Sequence, residues 1–219
     1  MATGERKATG VRGTVTKEAI TAAALAQIDA RGAAGFSMRQ LATDLGVTTM
    51  APYWHARNRE EVLDWVVERV LEKIEVGPPL TGPWSAKIEE LLAGVRSQFL
   101  EHPNVVDLLR GRFVPAFVRV SNELILLITE GGFTGEDRVL AFGVLMTHFE
   151  GSLLIARTAH GFPHPVDEQR SLEALSWIPP DRVDPSVHGD FQRFDLPQDE
   201  QFRAGIQMLL DGLGARSRA

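Results

Sequence analysis

The residue types best suited to binding chemistry are concentrated between Ser37 and Arg59. Tyr53 and His55 place hydrogen-bond donors close together along the chain, and Arg59 adds a permanent positive charge four residues after His55. We expect Arg59 to lie at the N-terminus of a helix, where free backbone amides also attract anions. Side chains of these types form hydrogen bonds with phosphate oxygens. The pattern therefore indicates a phosphate-binding surface.

Enzymatic chemistry finds little support in the sequence. His160 and His164 lie four residues apart, but Gly161 and two neighbouring prolines argue against a helical metal-binding pair. Residues 131–135 (Gly-Gly-Phe-Thr-Gly) lack the Lys-Ser/Thr ending and the preceding strand of a phosphate-binding loop. The absence of cysteine excludes disulfides, thiolate zinc sites and a cysteine nucleophile, and it suits a cytoplasmic protein. We therefore expect no enzyme, no catalytic residue, no cofactor and no metal site.

The elements that must position these side chains are predicted to be helices. Alternating apolar–polar runs and Asn-Gly or Asp-Gly hairpin signals are nearly absent. Capping residues and apolar periodicity predict helices at Thr16–Arg31, Ser37–Leu45, a short segment ending at His55, Asn58 to about Val76, Trp84 to about His102, Pro103–Leu109, Ala116–Glu130, Glu136–Ala159 and Pro197 to Leu213. Prolines between Gly161 and Gln198 predict a long loop with one short helix around Leu172–Trp177.

Two short helices joined by a glycine-containing turn are the clearest of these elements. Ser37 is a candidate N-cap of the first helix, and Gln40 completes a capping box. Phe36 and Leu41 are spaced as a hydrophobic staple, and Gly46 suits the left-handed conformation of a helix end. A major-groove reader requires such a pair, because the groove admits one helix while the other braces it. Short helix pairs also occur in plain bundles, so both interpretations stay open.

Charge is distributed unevenly along the chain. Residues 1–59 hold 8 Lys and Arg against 4 Asp and Glu, a net charge of +4. Residues 60–219 hold 15 against 25, a net charge of −10. A basic N-terminal region followed by an acidic remainder is typical of proteins in which one small region binds the phosphates of a nucleic acid. The composition is that of a globular protein, with no apolar window of the length a membrane span needs and no signal peptide.

Several short motifs occur in a fixed order in the N-terminal part of the chain. They are Lys17-Glu18-Ala19-Ile20, Gly35-Phe36-Ser37-Met38-Arg39-Gln40-Leu41-Ala42, Leu45-Gly46-Val47, Tyr53-Trp54-His55, Asn58-Arg59 and Leu63-Asp64. In order and spacing they resemble the N-terminal domain of the TetR family of transcriptional regulators, over about Val15 to Glu75. Trp84, His102, Gly132-Phe133 and His148-Phe149 extend a weaker resemblance toward the tetracycline repressor-type branch.

The resemblance implies a set of DNA-binding residues. Base edges would be read by Thr48, Thr49 and Met50 with Arg39 nearby, whereas phosphates would be held by Tyr53, His55 and Arg59. Trp54 is expected in the core. Pro52 departs from the leucine that the family usually has, and it fits the first turn of a short helix from Met50 to His55 if Thr49 is the cap.

The same resemblance implies a C-terminal domain that binds an effector and forms a dimer. Helices Glu136–Ala159 and Gln198–Leu213 would pair with those of a second subunit, although their apolar residues could equally pack within one subunit. The positions expected for tetracycline–magnesium contacts hold Glu75, Leu91, Val95, Leu109 and Arg112, so no magnesium site is assembled.

A mainly apolar cavity is expected in that domain, with Arg96, Arg112 or His148 as polar anchors. Aromatic residues at helical spacing are also typical of plain core. The expected effector-binding residues are Leu91, Val95, Phe99, Leu109, Arg112, Phe113, Phe117, His148 and Phe149.

The predicted protein is all-α. Residues 1–15 form a flexible arm, residues 16–76 a three-helix DNA-binding domain with a helix-turn-helix, and residues 77–219 a larger helical domain for effector binding and dimerisation. The boundary follows the break at residues 77–79 (Gly-Pro-Pro). The expected function is a cytoplasmic, homodimeric transcriptional repressor without a membrane partner, released from a palindromic double-stranded DNA operator by a small, largely apolar effector. The alternative is a helical protein-interaction module without DNA binding, which leaves the basic N-terminus unexplained.

Overall fold

The computed structural model describes residues 15–72, 74, 81–109, 111–112, 114–156, 179 and 197–217. Within these ranges the chain forms seven α-helices: α1 Lys17–Arg31, α2 Met38–Asp44, α3 Arg59–Leu71, α4 Trp84–Glu101, α5 Pro115–Glu130, α6 Gly135–Ala156 and α7 Gln198–Ser217. Three short 3₁₀ helices lie between them, at Ala33–Gly35, Ala51–Trp54 and Pro103–Leu108. The described residues contain no strand, and the all-α prediction is confirmed.

Capping side chains fix where the N-terminal helices begin. The hydroxyl of Thr16 accepts a hydrogen bond from the backbone amide of Ala19 at 3.2 Å, and the amide oxygen of Asn58 accepts from Glu61 at 2.9 Å. Ser37 caps α2 in the same way, with its hydroxyl 3.4 Å from the backbone nitrogen of Gln40. Each cap satisfies one of the backbone N–H groups that a helix start leaves unpaired.

The reciprocal half of the predicted capping box does not form. The backbone N–H of Ser37 donates instead to the side-chain oxygen of Gln27 at 3.3 Å, while Gln40 donates to Asp44 at 2.7 Å. Gln27 is buried on α1, and its side-chain amide also donates to Asp44 at 2.8 Å. Because Gln27 of α1 accepts the hydrogen bond from the backbone N–H of Ser37, the side chain of Gln40 is not needed as its acceptor. This bridge ties α1 to α2.

Several predicted helix ends differ from those observed. Helix α3 ends at Leu71 rather than near Val76, whereas α4 begins at Trp84 as predicted, with Pro83 as its N-cap. The predicted helix Pro103–Leu109 is a 3₁₀ helix. Proposals for the arm at residues 1–14, the boundary at 77–79, Glu75, Phe113, His160, His164 and the short helix at 172–177 lie outside the described residues.

One hydrophobic core runs through the described parts of both halves of the chain. It contains Ile20 of α1, Leu63 of α3, Phe99 of α4 and Leu145 of α6, all fully or almost fully buried. Helix α1 packs on α3, whereas α6 packs on α4, α5 and α7. The N-terminal helices are therefore braced against the C-terminal bundle through shared packing.

Helix α6 is more apolar than the sequence analysis expected. It spans 22 residues, and an 18-residue window has a mean hydropathy of 1.7 with no more than two charged side chains. By length and composition alone it could cross a membrane, so the expectation that no window is long and apolar enough was wrong. Its apolar side chains are only partly used in the core, because Val139, Leu140 and Leu154 are exposed.

Candidate nucleic-acid interface

A tight turn connects α2 to the short helix that follows. The backbone N–H of Val47 donates to the carbonyl of Ala42 at 2.9 Å, and that of Gly46 donates to Thr43 at 3.0 Å. This pair of hydrogen bonds at the end of a helix requires one residue with a positive φ. Gly46 supplies it with a φ of 66°, which glycine adopts without steric cost. The glycine-containing turn of the predicted helix-turn-helix is therefore present.

The second helix of the motif is the 3₁₀ helix Ala51–Trp54. Its first turn is closed by a hydrogen bond from the backbone N–H of Tyr53 to the carbonyl of Met50, at 3.1 Å. Pro52 lies in this first turn, where its missing N–H leaves no bond unmade. The short helix expected from Met50 to His55 is thus observed in a tighter and slightly shorter form.

The residues expected to contact DNA lie on the solvent side of this motif. Met50 is 60% exposed and Tyr53 is 42% exposed, and the side chain of Arg59 is about half-buried. The other expected DNA-binding residues, all exposed, are Arg39, Thr48, Thr49 and His55. The consecutive segment 48–55 therefore presents hydroxyl, thioether, phenol and imidazole groups to solvent.

Trp54 does not belong to the core, and that expectation was wrong. It is 80% exposed, because the buried positions of this segment are occupied by Ala51, Pro52 and Ala56. A largely exposed indole beside Tyr53 extends the surface with an aromatic face and one N–H donor. Sequence reasoning missed this residue because Tyr53, Trp54 and His55 are adjacent, and which of them faces inward depends on the helix type.

Arg59 is held at the N-terminus of α3 by three contacts. Its Nη1 donates to Glu60 Oε1 at 2.9 Å, and its Nη2 donates to the carbonyl of Ala33 at 3.0 Å. Its guanidinium also lies 5.4 Å from the ring centre of Phe36. These contacts restrict the arginine while its half-exposed side chain stays in reach of an anion. Arg57, which was not among the expected DNA-binding residues, adds an exposed cation two residues earlier.

An acidic face on α3 joins this surface to the C-terminal helices. Glu60, Asp64 and Glu68 are four residues apart, a spacing that places them on one side of a helix. Arg112 donates to Asp64 Oδ1 at 2.6 Å and is hydrogen-bonded to the Glu60 carboxylate. Glu68 accepts from the backbone N–H of Ala116 at 2.8 Å, at the start of α5.

The charges of this face are mutually stabilising. Hydrogen bonding from Arg112 is the main reason why the pKa of Glu60 lies below its ordinary value, with a smaller contribution from Arg59. Burial alone would lower the pKa of Arg112, but hydrogen bonds to Asp64 and Glu60 outweigh burial and raise it. Glu60 and Arg112 therefore stay ionised together near neutral pH.

The expected effector-binding residues divide into three groups. Leu91, Val95, Phe99 and Phe149 are buried in the common core, and Leu109 and Phe117 pack against it. Arg112 is engaged by α3, as described above. His148 forms the third group and contacts Phe202 of α7.

His148 lies between α6 and α7. Its Nε2 is 3.1 Å from the carbonyl oxygen of Phe202, and its ring stacks on that of Phe202 with centres 5.5 Å apart. Arg96 of α4 is also buried against Phe202, with its guanidinium 5.1 Å from the ring centre and a hydrogen bond to Asp199. These polar side chains hold α4, α6 and α7 together.

Two open cavities border α6 in the described part of the chain. An apolar groove of about 760 Å³ runs between α6 and α7 and is lined by Val139, Leu140, Gly143, Met208 and Leu209 among others. A second cavity of about 650 Å³ lies between α6 and the 3₁₀ helix Pro103–Leu108, bordered by Val106, Leu109, Leu153, Leu154, Asp107 and Glu150 among others.

The helical fold and the exposed helix-turn-helix are typical of DNA-binding regulators, and comparison with known proteins supports the same class. Residues 20–66 match the model described as bacterial regulatory proteins, tetR family. The transcriptional repressor DrrR1 of Streptomyces coeruleorubidus is 30% identical over 142 residues, which cover 64% of this chain and 53% of that protein. The transcriptional repressor Rv1353c of Mycobacterium tuberculosis is 23% identical over 213 residues, covering 93% of this chain and 82% of that protein.

Solved structures agree with this assignment along almost the whole chain. Apo ActR from Streptomyces coelicolor superposes with a TM-score of 0.77 at 25% identity, covering 94% of this chain and 98% of ActR. ActR in complex with actinorhodin gives a TM-score of 0.74 at the same identity, covering 94% of this chain and 99% of that one. The family match at residues 20–66, the repressor relatives and the ActR fold together support a TetR family transcriptional regulator, a class of non-enzymatic DNA-binding proteins.

Proposed function

We propose that the protein is a cytoplasmic, homodimeric repressor that binds a palindromic operator and is released by a small, largely apolar effector. The observation that carries the proposal is the exposed segment 48–55, followed at once by the anchored Arg59. Repression is supported by the names of DrrR1 and Rv1353c, both described as transcriptional repressors.

In this proposal, different residues of the helix-turn-helix contact the bases and the phosphates. Thr48, Thr49 and Met50 face base edges in the major groove, with Arg39 beside them. Tyr53, His55 and Arg59 hold phosphates and so fix the register of the protein on the duplex. Two such surfaces in a dimer read half-sites about 34–36 Å apart, or a multiple of that distance.

The homodimer is proposed to form through α6 and α7. Val139 is 71% exposed and Met208 is 74% exposed, and both line the apolar groove between these helices. An apolar surface of this kind in a soluble protein marks an interaction site. Burial of this groove against a second copy would also account for the hydropathy of α6 without a membrane.

The effector is proposed to bind within the C-terminal helices. ActR, which has the same fold, has been solved with actinorhodin bound. Here the described part of the cavity beside the 3₁₀ helix Pro103–Leu108 offers Val106, Leu109 and Leu153 as apolar walls. A ligand lowers the affinity for DNA only if it binds the DNA-binding conformation more weakly than the other conformation. DNA then lowers the affinity for the ligand by the same factor.

DNA binding is tested with the purified full-length protein and duplexes from the regions flanking its own gene. We expect affinity to fall linearly with salt on logarithmic axes between about 50 and 200 mM, because phosphate contacts release counterions. Arg59→Ala should weaken binding to all sequences and reduce this slope, whereas Thr49→Ala should change sequence preference. A purified protein without salt-dependent binding to any of these duplexes would favour the interaction-module alternative.

A further inference from the structure

The two oxygens of the Glu60 carboxylate are held by two different arginines. Arg59 Nη1 donates to Oε1 at 2.9 Å, and Arg112 Nη2 donates to Oε2. Each arginine has a second acceptor, the carbonyl of Ala33 for Arg59 at 3.0 Å and Asp64 Oδ1 for Arg112 at 2.6 Å. One carboxylate is thus shared between the DNA-binding surface and the segment that precedes α5.

Sharing limits how strongly Glu60 can neutralise Arg59. A carboxylate carries a single negative charge, so two guanidinium groups in contact with it divide that charge between them. If Arg112 withdrew, both oxygens of Glu60 could accept from Arg59, whose planar guanidinium suits a bidentate carboxylate. The donors and the positive charge of Arg59 would then be less available to a DNA phosphate.

We infer that Arg112 is a positioning residue for DNA binding, which keeps Arg59 available to phosphate by holding Glu60. The inference rests on the proposed phosphate role of Arg59, and it adds a residue distant in sequence from the helix-turn-helix. Arg112 does not touch DNA in this scheme. It acts through the carboxylate that lies between the two arginines.

Arg112 is anchored well enough to compete for this carboxylate. Its side chain is 15% exposed, whereas that of Glu60 is 58% exposed. Its Nη1 also donates to the backbone carbonyl of Glu60 at 3.2 Å, in addition to Asp64. An ion pair with a largely buried arginine is screened less by solvent than the exposed Arg59–Glu60 pair.

The position of Arg112 in the chain would allow its contact with Glu60 to be controlled from the C-terminal helices. It follows the 3₁₀ helix Pro103–Leu108, whose Val106 borders the cavity beside α6, and precedes α5. If this segment moved and withdrew Arg112, both oxygens of the Glu60 carboxylate would be free to accept hydrogen bonds from Arg59. DNA affinity would fall without any change in the fold of the helix-turn-helix.

The test compares salt-dependent operator binding by single and double variants of the full-length protein. Arg112→Gln should weaken binding about three-fold to ten-fold and make the salt slope shallower by up to about one. Arg112→Lys should recover part of the loss because it keeps the charge. Glu60→Gln combined with Arg112→Gln should return affinity close to the wild-type value, because the carboxylate that captures Arg59 is gone.

Arg119→Gln is the matched control. Arg119 lies 3.9 Å from Glu68 on the same acidic face, and its loss removes an equal charge without touching Glu60. Thermal unfolding and circular dichroism of each variant report whether the helices are intact. In the Arg59→Ala background, Arg112→Gln should have no further effect on binding.

The outcomes separate this inference from the proposed function. If Arg59→Ala leaves the salt slope unchanged, the phosphate role of Arg59 is wrong. If Arg59→Ala reduces the slope but Arg112→Gln behaves like Arg119→Gln, the positioning role of Arg112 is overturned. The same holds if Arg112→Gln weakens the Arg59→Ala protein as much as the wild type, since a general displacement of the DNA-binding helices would then explain the loss.

Discussion

At the scale of single residues, the DNA-binding surface depends on side chains that contribute little to the core. Trp54 illustrates this, because it is large, apolar and exposed beside Tyr53. We propose that this indole contacts a partner, because it lies within the surface that is expected to bind DNA. On the proposed surface that partner is DNA, where an aromatic ring can pack on sugars or bases and its N–H can bond to phosphate.

Replacement of Trp54 by alanine should weaken operator binding while leaving the fold intact. The side chain makes few core contacts, so we expect the free energy of unfolding to change by less than about 0.5 kcal/mol. Fluorescence anisotropy with a labelled duplex measures the affinity, and urea unfolding measures the stability. Val118→Ala, an exposed substitution on α5, is the control for both measurements. Wild-type affinity in the Trp54→Ala protein would show that the indole does not face DNA.

Glu61 gives the start of α3 a dependence on pH. A hydrogen bond from the backbone N–H of Arg57, at 2.7 Å, is the main reason why the pKa of Glu61 lies below its ordinary value of 4.5. A carboxyl with a lowered folded-state pKa stabilises the fold above its unfolded-state pKa, and this stabilisation is lost as pH falls through the folded-state value. Glu61→Gln should therefore flatten the decline in stability below about pH 4.5, as followed by denaturant unfolding. An unchanged pH profile would contradict this role.

At the scale of elements, the residues that cap the helices can be predicted from the sequence, whereas the hydrogen bonds between helices cannot. Thr16, Ser37 and Asn58 were recognisable as helix starts because a cap acts within one turn of its own helix. The partner of the Ser37 amide is Gln27, ten residues away on α1. No periodicity or capping rule identifies such a partner, since its position depends on how two helices pack.

The same reasoning applies to the candidate site. The segment 48–55 and Arg59 followed from residue type and spacing, because they are close together in the chain. The contact between Arg112 and Glu60 joins positions 52 residues apart, and it exists only because α3 packs beside the segment before α5. Arg112 was selected from sequence as an effector contact, whereas the described structure shows its bonds to α3.

The packing of α7 on α6 requires a glycine at one position. A Cβ built on Gly205 would clash with the imidazole ring of His148, so the two helices are in close contact there. Gly205→Ala should destabilise the protein by about 1–3 kcal/mol, because His148 cannot move without losing its stacking on Phe202. Gly94→Ala on α4, where a Cβ meets nothing within 4 Å, should instead be neutral or stabilising. Thermal unfolding of the two variants measures the difference, and equal stability would contradict the close packing.

At the scale of the whole molecule, polar side chains in the described part of the chain join the N-terminal helices to the C-terminal bundle on both sides of one short helix. Arg112 and Ala116 bond to α3, as described above. At the end of α1, Asp29 Oδ2 lies 2.9 Å from His102 Nδ1, and its carbonyl accepts from the side-chain amide of Asn104 at 2.9 Å. Both attachments flank the 3₁₀ helix Pro103–Leu108. Movement of this short helix would therefore reach α1 and α3 together, which is the arrangement that effector-controlled DNA binding requires.

The last prediction concerns the face that the isolated chain leaves exposed. Met208→Glu places a charge in the apolar groove between α6 and α7, where Met208 is 74% exposed. In the monomer the new carboxylate stays hydrated, so the helices should fold as before. In a dimer the same carboxylate would be buried without a partner, which costs several kcal/mol. Met208→Glu should therefore shift the protein toward monomers.

Sedimentation over a range of protein concentrations measures this shift, and operator binding should weaken with it because two half-sites need two linked subunits. Leu126→Glu on α5 introduces the same charge at another exposed apolar position, outside the groove, and should leave the dimer unchanged. A Met208→Glu protein that stays dimeric would place the subunit contact elsewhere. Wild-type protein that sediments with lipid vesicles would instead assign the apolar face of α6 to a membrane.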